Sequence, residues 1–305
     1  MQQLFNALPA AVSLGMIWGI MAIGLYITNK ILDISDLTVD GSIVTGAAVC
    51  TVLMTNGVDP WLSMLVAMVA GAICGLITGL LHTVFEIPAI LSGILTQLAL
   101  WSINLKILGG ASNKSLAARV YPVIIKQMDS KGAILVLALI AVAIIGLLYW
   151  FFGTELGCSI RATGCNLNMS RAQGINTEVN KVLGLMISNA FVALSGALLA
   201  QYQGYYDINM GRGAIVIGLA AIVIGEVFFS KIARNFAVRL CGVLCGGVIY
   251  YLVYQIIVFL GIDTDLLKML SAVVVALFLG VPNVKNKLFA KNNHKKHAKE
   301  VKENA

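Results

Sequence analysis

Residues 153–180 read GTELGCSIRATGCNLNMSRAQGINTEVN, and they stand between two long apolar runs, 132–152 and 182–206. Neither run carries a charge, whereas the segment between them holds Glu155, Arg161, Arg171 and Glu178. The surroundings are built for lipid; this segment is built to touch another protein in water. Within it Thr154, Gly157, Arg161, Ala162, Gly164, Asn166, Gly174, Ile175 and Asn176 form one ordered pattern, T-x-x-G-x-x-x-R-A-x-G-x-N followed by G-I-N. A lone G-x-N or R-A carries no meaning. Nine positions in order between two candidate spans do.

Working outward, the whole chain has the composition of a membrane protein. Hydrophobic residues make up 59% and charged residues 11%, with a mean hydropathy of +0.90, where a soluble domain carries roughly a quarter charged residues. A spanning helix needs about 20 apolar residues. Nine uncharged stretches qualify or nearly qualify: 2–29, 41–58, 60–81, 87–105, 132–152, 182–206, 213–225, 240–262 and 269–284. The fold class is therefore all-α, a polytopic transmembrane bundle of about 8–10 spans with a polar loop on one side. Alternating ten-residue segments of a β-barrel are absent from the sequence. The first run has no basic residues before it and is long enough to span, so it reads as a helix rather than a cleavable signal.

Basic residues mark the cytoplasmic side of a membrane protein. The tail at 285–305 carries Lys285, Lys287, Lys291, Lys295, Lys296, Lys299 and Lys302 against Glu300 and Glu303, so it is expected in the cytoplasm. Counting back, the 231–239 hinge and the 153–180 loop fall on the same side, and the 207–212 and 263–265 turns on the opposite one. Nine spans then leave the N-terminus outside. The 107–131 connection disagrees: Lys114, Arg119, Lys126 and Lys131 outnumber Asp129, yet parity puts it outside. These charges read either as a solvated loop or as part of a landing surface for a binding protein.

The ordered pattern in 153–180 resembles the cytoplasmic loop by which permease subunits of the branched-chain amino-acid and ribose type of ABC importer engage their ATPase. The likeness continues through Leu194-Ser195-Gly196-Ala197-Leu198-Leu199 and Gly218-Leu219-Ala220-Ala221. It looks closest to an amino-acid-type subgroup of poorly defined substrate. The resemblance implies a permease domain over 1–284, a coupling loop at 153–180 and a basic tail at 285–305. It also implies a short helix near 159–166, with Arg161 presented to the ATPase and Gly157 and Gly164 permitting close approach. Cys165-Asn166-Leu167-Asn168 departs from the pattern, since many relatives carry an acidic residue and a proline there. In the same family a short re-entrant or broken helix occupies the place of 29–41, NKILDISDLTVDG, where the alternative is an ordinary loop ended by an aspartate cap.

Missing chemistry narrows the class further. The sequence has no G-x-x-x-x-G-K-[ST] phosphate loop, no H-E-x-x-H and no G-x-S-x-G, so neither ATP hydrolysis nor hydrolase chemistry is expected of this chain. Ion-coupled secondary transporters place ionisable groups near the bilayer midplane, and the middles of the nine runs hold none. Energy must then come from a partner. The six cysteines form no ligand set; Cys241 and Cys245 share a helix face and read as packing. Asp265 and Lys268 form a local ion pair at helical spacing. Gln97, Asn104, Ser188 and Asn189 are the polar candidates for a pathway, or else interhelical hydrogen bonds. Glu226 and Arg239, near the ends of adjacent antiparallel spans, are candidates for an ion pair.

Together these observations describe half of a transport pathway in the plasma membrane. Its expected partners are a second permease copy, an ATPase subunit holding ATP and magnesium, an extracytoplasmic solute-binding protein and membrane lipid, with no nucleic acid. The cargo is a small polar solute, an amino acid before a sugar by resemblance; the alternative is an ion-coupled secondary transporter.

Overall fold

A chain in hydrocarbon must satisfy its backbone hydrogen bonds internally, so apolar runs of sufficient length become helices. The computed structural model describes residues 2–117, 120–125, 130–229 and 235–259, with Met269, Val273 and Ala276 beyond them. In chain order the elements are α1 (Gln2–Tyr26, continued by a π turn at Ile27–Ile31), α2 (Val39–Thr55), α3 (Pro60–Thr83), α4 (Ala89–Ile107), β1 (Asn113–Ser115), α5 (Ser130–Phe151), α6 (Glu155–Cys165), α7 (Leu167–Ala172), α8 (Thr177–Gln203), β2 (Tyr205–Asp207), α9 (Ala214–Phe229) and α10 (Phe236–Phe259). Among the described residues six helices (α1, α3, α4, α5, α8 and α10) are long and apolar enough to cross a membrane, and α2 and α9 are apolar but shorter. The all-α bundle read from the sequence is what forms. The expected ninth span at 269–284 (apart from Met269, Val273 and Ala276), the 231–234 part of the hinge, the 263–265 turn, the Asp265–Lys268 pair and the tail at 285–305 lie outside the described residues, as do Arg119, Lys126 and Asp129.

Helix α8 is the spine. It runs antiparallel to α1, and three hydrogen bonds fix the register: Tyr202 Oη donates to the Ala10 carbonyl at 3.4 Å, Ser195 Oγ to that of Ile17 at 2.7 Å and Ser188 Oγ to that of Gly24 at 2.7 Å. The steps of seven residues are two helical turns, so one face of each helix repeats the contact. On its other side α8 meets α3, where Gly71, Gly75 and Gly79 lie against Asn189, Leu185 and Val182. A Cβ on Gly75 would run into the Leu185 carbonyl; small residues at this spacing let two backbones touch.

The segment between α1 and α2 settles the alternative left open at 29–41. Asp33 turns the chain with φ of 54°, a left-handed conformation that aspartate tolerates better than most residues. Instead of staying at the end of the bundle, the chain then climbs alongside α8 until Asp36 meets Asn189, the midpoint of the 27-residue α8. Helix α2 starts there. Helix α9 also starts inside the bundle, because residues 208–213 fold back from the end of α8 and bring Gly211 against Asp40. Two short helices thus meet near mid-depth, each entering from an irregular segment enclosed by protein, the setting in which non-helical backbone persists in a membrane.

Residues 112–116 of the 107–131 connection lie at the end of α8 opposite α6. Strands β1 and β2 pair antiparallel, Lys114 opposite Tyr206, and the Ile208 N–H donates to the Ser112 carbonyl at 3.0 Å. The described part of this connection and the 153–180 loop therefore lie at opposite ends of α8. In a variant freed of its native cysteines, Ser112→Cys and Asn209→Cys are expected to react with an impermeant thiol reagent from the same face of the membrane, and Asn166→Cys from the other. Labelling of positions 112 and 166 from one common face would break this topology.

Candidate coupling surface and solute pocket

The ordered pattern of the 153–180 loop turns out to be mostly the grammar of its own fold. Thr154 caps α6, accepting from the Gly157 N–H at 3.4 Å; Asn166 caps α7, accepting from the Met169 N–H at 3.0 Å; Asn176 caps α8, accepting from the Glu178 and Val179 N–H groups. Gly174, at φ of 77°, ends α7 in a Schellman turn: its N–H bonds to the Arg171 carbonyl, and the Ile175 N–H returns to that of Ser170 at 3.0 Å. Gly157 packs on the backbone of Phe151 and Phe152, and Gly164 on that of Ile31 and Leu32. These two glycines therefore seat α6 on its own bundle, which corrects the expectation that they open it to a partner. Ala162 is half-buried between the two faces.

One face of α6 is welded down. Ile160 is fully buried, and buried Asn180 of α8 joins the two helices, donating to Thr163 Oγ1 at 2.9 Å while its Oδ1 accepts from Ser159 Oγ at 3.1 Å. Nothing in the sequence singled out Asn180; its sole signal was its place where the polar loop returns to an apolar run. The opposite face carries Cys158, Arg161 and Cys165; Leu156 in the first turn is exposed too, as are Leu167 and Met169 of α7, the last 63% exposed. The Arg161 guanidinium lies 5.8 Å from the centre of the Phe236 ring, close enough for cation–π attraction.

Deeper in the bundle the picture changes from apolar to polar. The Asp36 carboxylate accepts from the Thr38 N–H at 2.9 Å and from Asn189 Nδ2 at 2.7 Å, and Asn189 Oδ1 accepts from Ser42 Oγ at 2.6 Å. Hydroxyls of Thr38, Thr78 and Thr96 chain together at 2.7 and 3.0 Å, tying α2, α3 and α4. The expectation that no carboxylate stands at mid-depth is thereby corrected. A segment with three aspartates reads as solvated, but this one is carried inward because a buried amide and backbone N–H meet its charge. Ser188 and Asn189, expected beside a pathway, are fully buried and engaged with α1, with the 32–38 segment and with α2.

Gln97 and Asn104 do meet an opening. A cavity of about 210 Å³ lies between α2, α4 and the 208–212 segment, lined by both together with Asp40, Trp101, Ile208 and Arg212. The Asp40 oxygens accept from the Ile215 and Gly213 N–H groups at 2.9 and 3.0 Å, which caps the start of α9. Asn104 is 1% exposed, and its Oδ1 has no hydrogen-bond partner. A larger cavity of about 600 Å³ lies beside it, walled by Trp18, Tyr205 and Tyr254 and also touching Arg212. Asp40, Trp101 and Arg212 were not among the sequence candidates, because their proximity depends on the fold-back at 208–213.

Glu226 is paired, but not with Arg239. Its Oε2 lies 2.9 Å from Lys30 Nζ on the π turn, since α9 packs on α1 as well as on α10. Both side chains are about 40% exposed (40% and 42%), so the pair is weak, about 0.2–1 kcal/mol.

A family model described as the permease component of the branched-chain amino acid transport system matches residues 8–281. The chain is 39% identical over 269 residues to a tyrosine transport system permease protein of Clostridioides difficile, covering 88% of this chain and 89% of that one. It is 33% identical over 282 residues to an uncharacterized protein of Rickettsia prowazekii, covering 92% and 98%. An autoinducer 2 import system permease protein of Yersinia pestis is 29% identical over 216 residues, covering 68% of this chain and 58% of the relative.

Replacing Asn180 by Leu is expected to cost about 1–3 kcal/mol by removing the two hydrogen bonds that join α6 to α8, read as a lower Tm together with faster proteolysis within 153–176. Unchanged cleavage would mean that apolar contacts alone hold α6. A double-mutant cycle of Lys30→Met and Glu226→Gln is expected to give a coupling below about 1 kcal/mol, and one of Glu226→Gln with Arg239→Gln to be additive. Strong coupling in the second cycle would restore the pair inferred from sequence.

Proposed function

The chain belongs to the family of branched-chain amino-acid transport permeases, and on that premise we propose that two copies of it enclose a pathway for an amino acid, driven by ATPase subunits seated on α6. It is a multi-pass membrane protein and the permease component of an ABC-type import system, not an enzyme. ATP and magnesium belong to the partner, and a solute-binding protein delivers cargo at the end where β1 and β2 lie. The coupling end and the tail at 285–305 face the cytoplasm.

One observation carries this reading. Helix α6 is fixed to the bundle through Gly157, Ile160, Thr163 and Gly164, yet it leaves Arg161 exposed, and Leu156 at its first turn and Leu167 and Met169 of the following α7 are exposed as well. Exposed large apolar groups beside a guanidinium, outside the lipid-facing spans, fit a protein partner. The amino-acid cargo is supported by the relative named for tyrosine transport, so L-tyrosine is the first solute to test, with L-leucine second.

Co-purification with the cognate ATPase is the direct test. Arg161→Glu is expected to keep the stability within about 1 kcal/mol of the parent, the worth of an exposed cation–π contact. The same change is expected to weaken ATPase association by about tenfold or more, the effect of reversing a charge at an interface. Normal assembly and transport by Arg161→Glu, or ATPase activity in the isolated chain, would defeat the proposal.

A further inference from the structure

The cavity between α2, α4 and the 208–212 segment holds two opposite charges that do not neutralise each other. Asp40 and Arg212 both line its 210 Å³, yet no ion pair within 4.0 Å joins them among the described residues. Asp40 is held in place by the Gly213 and Ile215 N–H groups, which leaves each carboxylate oxygen a further acceptor site. Arg212 is exposed and lines the same space. Asn104 adds a buried Oδ1 with no partner, an arrangement that calls for a donor from whatever enters. Trp101 and Ile208 supply an apolar wall, and Gln97 a second amide. The volume is below the about 300–1,000 Å³ of drug-sized ligand sites, a size suited to one small solute.

From this we infer that the cavity is a subsite for a zwitterionic α-amino acid, with Arg212 facing its carboxylate, Asp40 and Asn104 its ammonium group, and Trp101 flanking the side chain. The inference rests on the permease reading and narrows its cargo to solutes that carry both charges on one carbon. A neutral sugar would leave both protein charges unpaired.

Calorimetric titration of the full chain in nanodiscs tests it with two probe sets: L-tyrosine, tyramine and 3-(4-hydroxyphenyl)propionate, then L-leucine, isopentylamine and 4-methylpentanoate, with D-ribose as the uncharged control. At least one amino acid is expected to bind saturably, each of its single-charge analogues about tenfold or more weakly, as loss of a charged hydrogen-bond partner implies, and D-ribose not at all. Arg212→Gln is expected to bring the amino acid down to the level of its amine while leaving the amine unchanged. Failure of both amino acids to bind, equal binding of amino acid and analogue, or an equal loss for every probe in Arg212→Gln would overturn the subsite. The analogue comparison uses the unaltered protein, so it does not depend on a variant folding. ATPase co-purification is scored separately: intact association with no preference for the zwitterion removes this subsite alone and leaves the permease reading standing.

Discussion

A carboxylate inside a lipid-facing bundle persists only where hydrogen bonds meet its charge, and Asp36 imposes that condition on much of this fold. Its two partners, the Thr38 N–H and the Asn189 amide, come from the start of α2 and the middle of α8. Holding them in place requires the chain to leave α1 at the π turn, pass Asp33 in a left-handed conformation and restart as a helix at mid-depth. Helix α2 is consequently short, and the space beyond it is filled by the fold-back at 208–213 and the equally short α9. Asp40, in the first turn of α2, then caps α9. Two carboxylates four residues apart thus organise the entry points of both short helices.

How much of this could be read from the chain depends on whether the deciding contact was local. The long spans were legible because apolar length alone produces them. The coupling loop was legible through its caps and glycines, whose roles are set within a few residues. By contrast, Glu226 found Lys30 rather than Arg239 because α9 has two neighbours, and the sequence order favours only one of them. The pathway candidates divided on the same ground: Ser188 and Asn189 went to interhelical bonding, while Gln97 and Asn104 reached a cavity. Asp40, Trp101 and Arg212 converge from three distant stretches, and no local pattern marks such a meeting.

The seat of α6 also connects distant parts by a short route. Gly164 rests on the backbone of Ile31 and Leu32, and the Leu32 side chain packs on Gly184 of α8. Four residues after Leu32 stands Asp36. A shift of α6 is therefore felt first by the irregular segment that leads to mid-depth, not by the middle of a continuous helix. Irregular backbone adjusts through a few dihedral angles, whereas a packed helix moves as a body. The Asn180 clamp on Ser159 and Thr163 ties the same movement to the base of α8.

Helix α6 spans only about three turns, and its residues answer to two different histories. Gly157, Ile160, Thr163 and Gly164 are bound to the bundle, and a change in any of them is judged by the fold of this chain. Leu156, Cys158, Arg161 and Cys165 are exposed, and among them Cys158 Sγ reaches the Phe152 carbonyl at 3.8 Å and Arg161 lies over the Phe236 ring. Variation across descendants of this chain can therefore accumulate on one stripe of the helix while the other stays fixed.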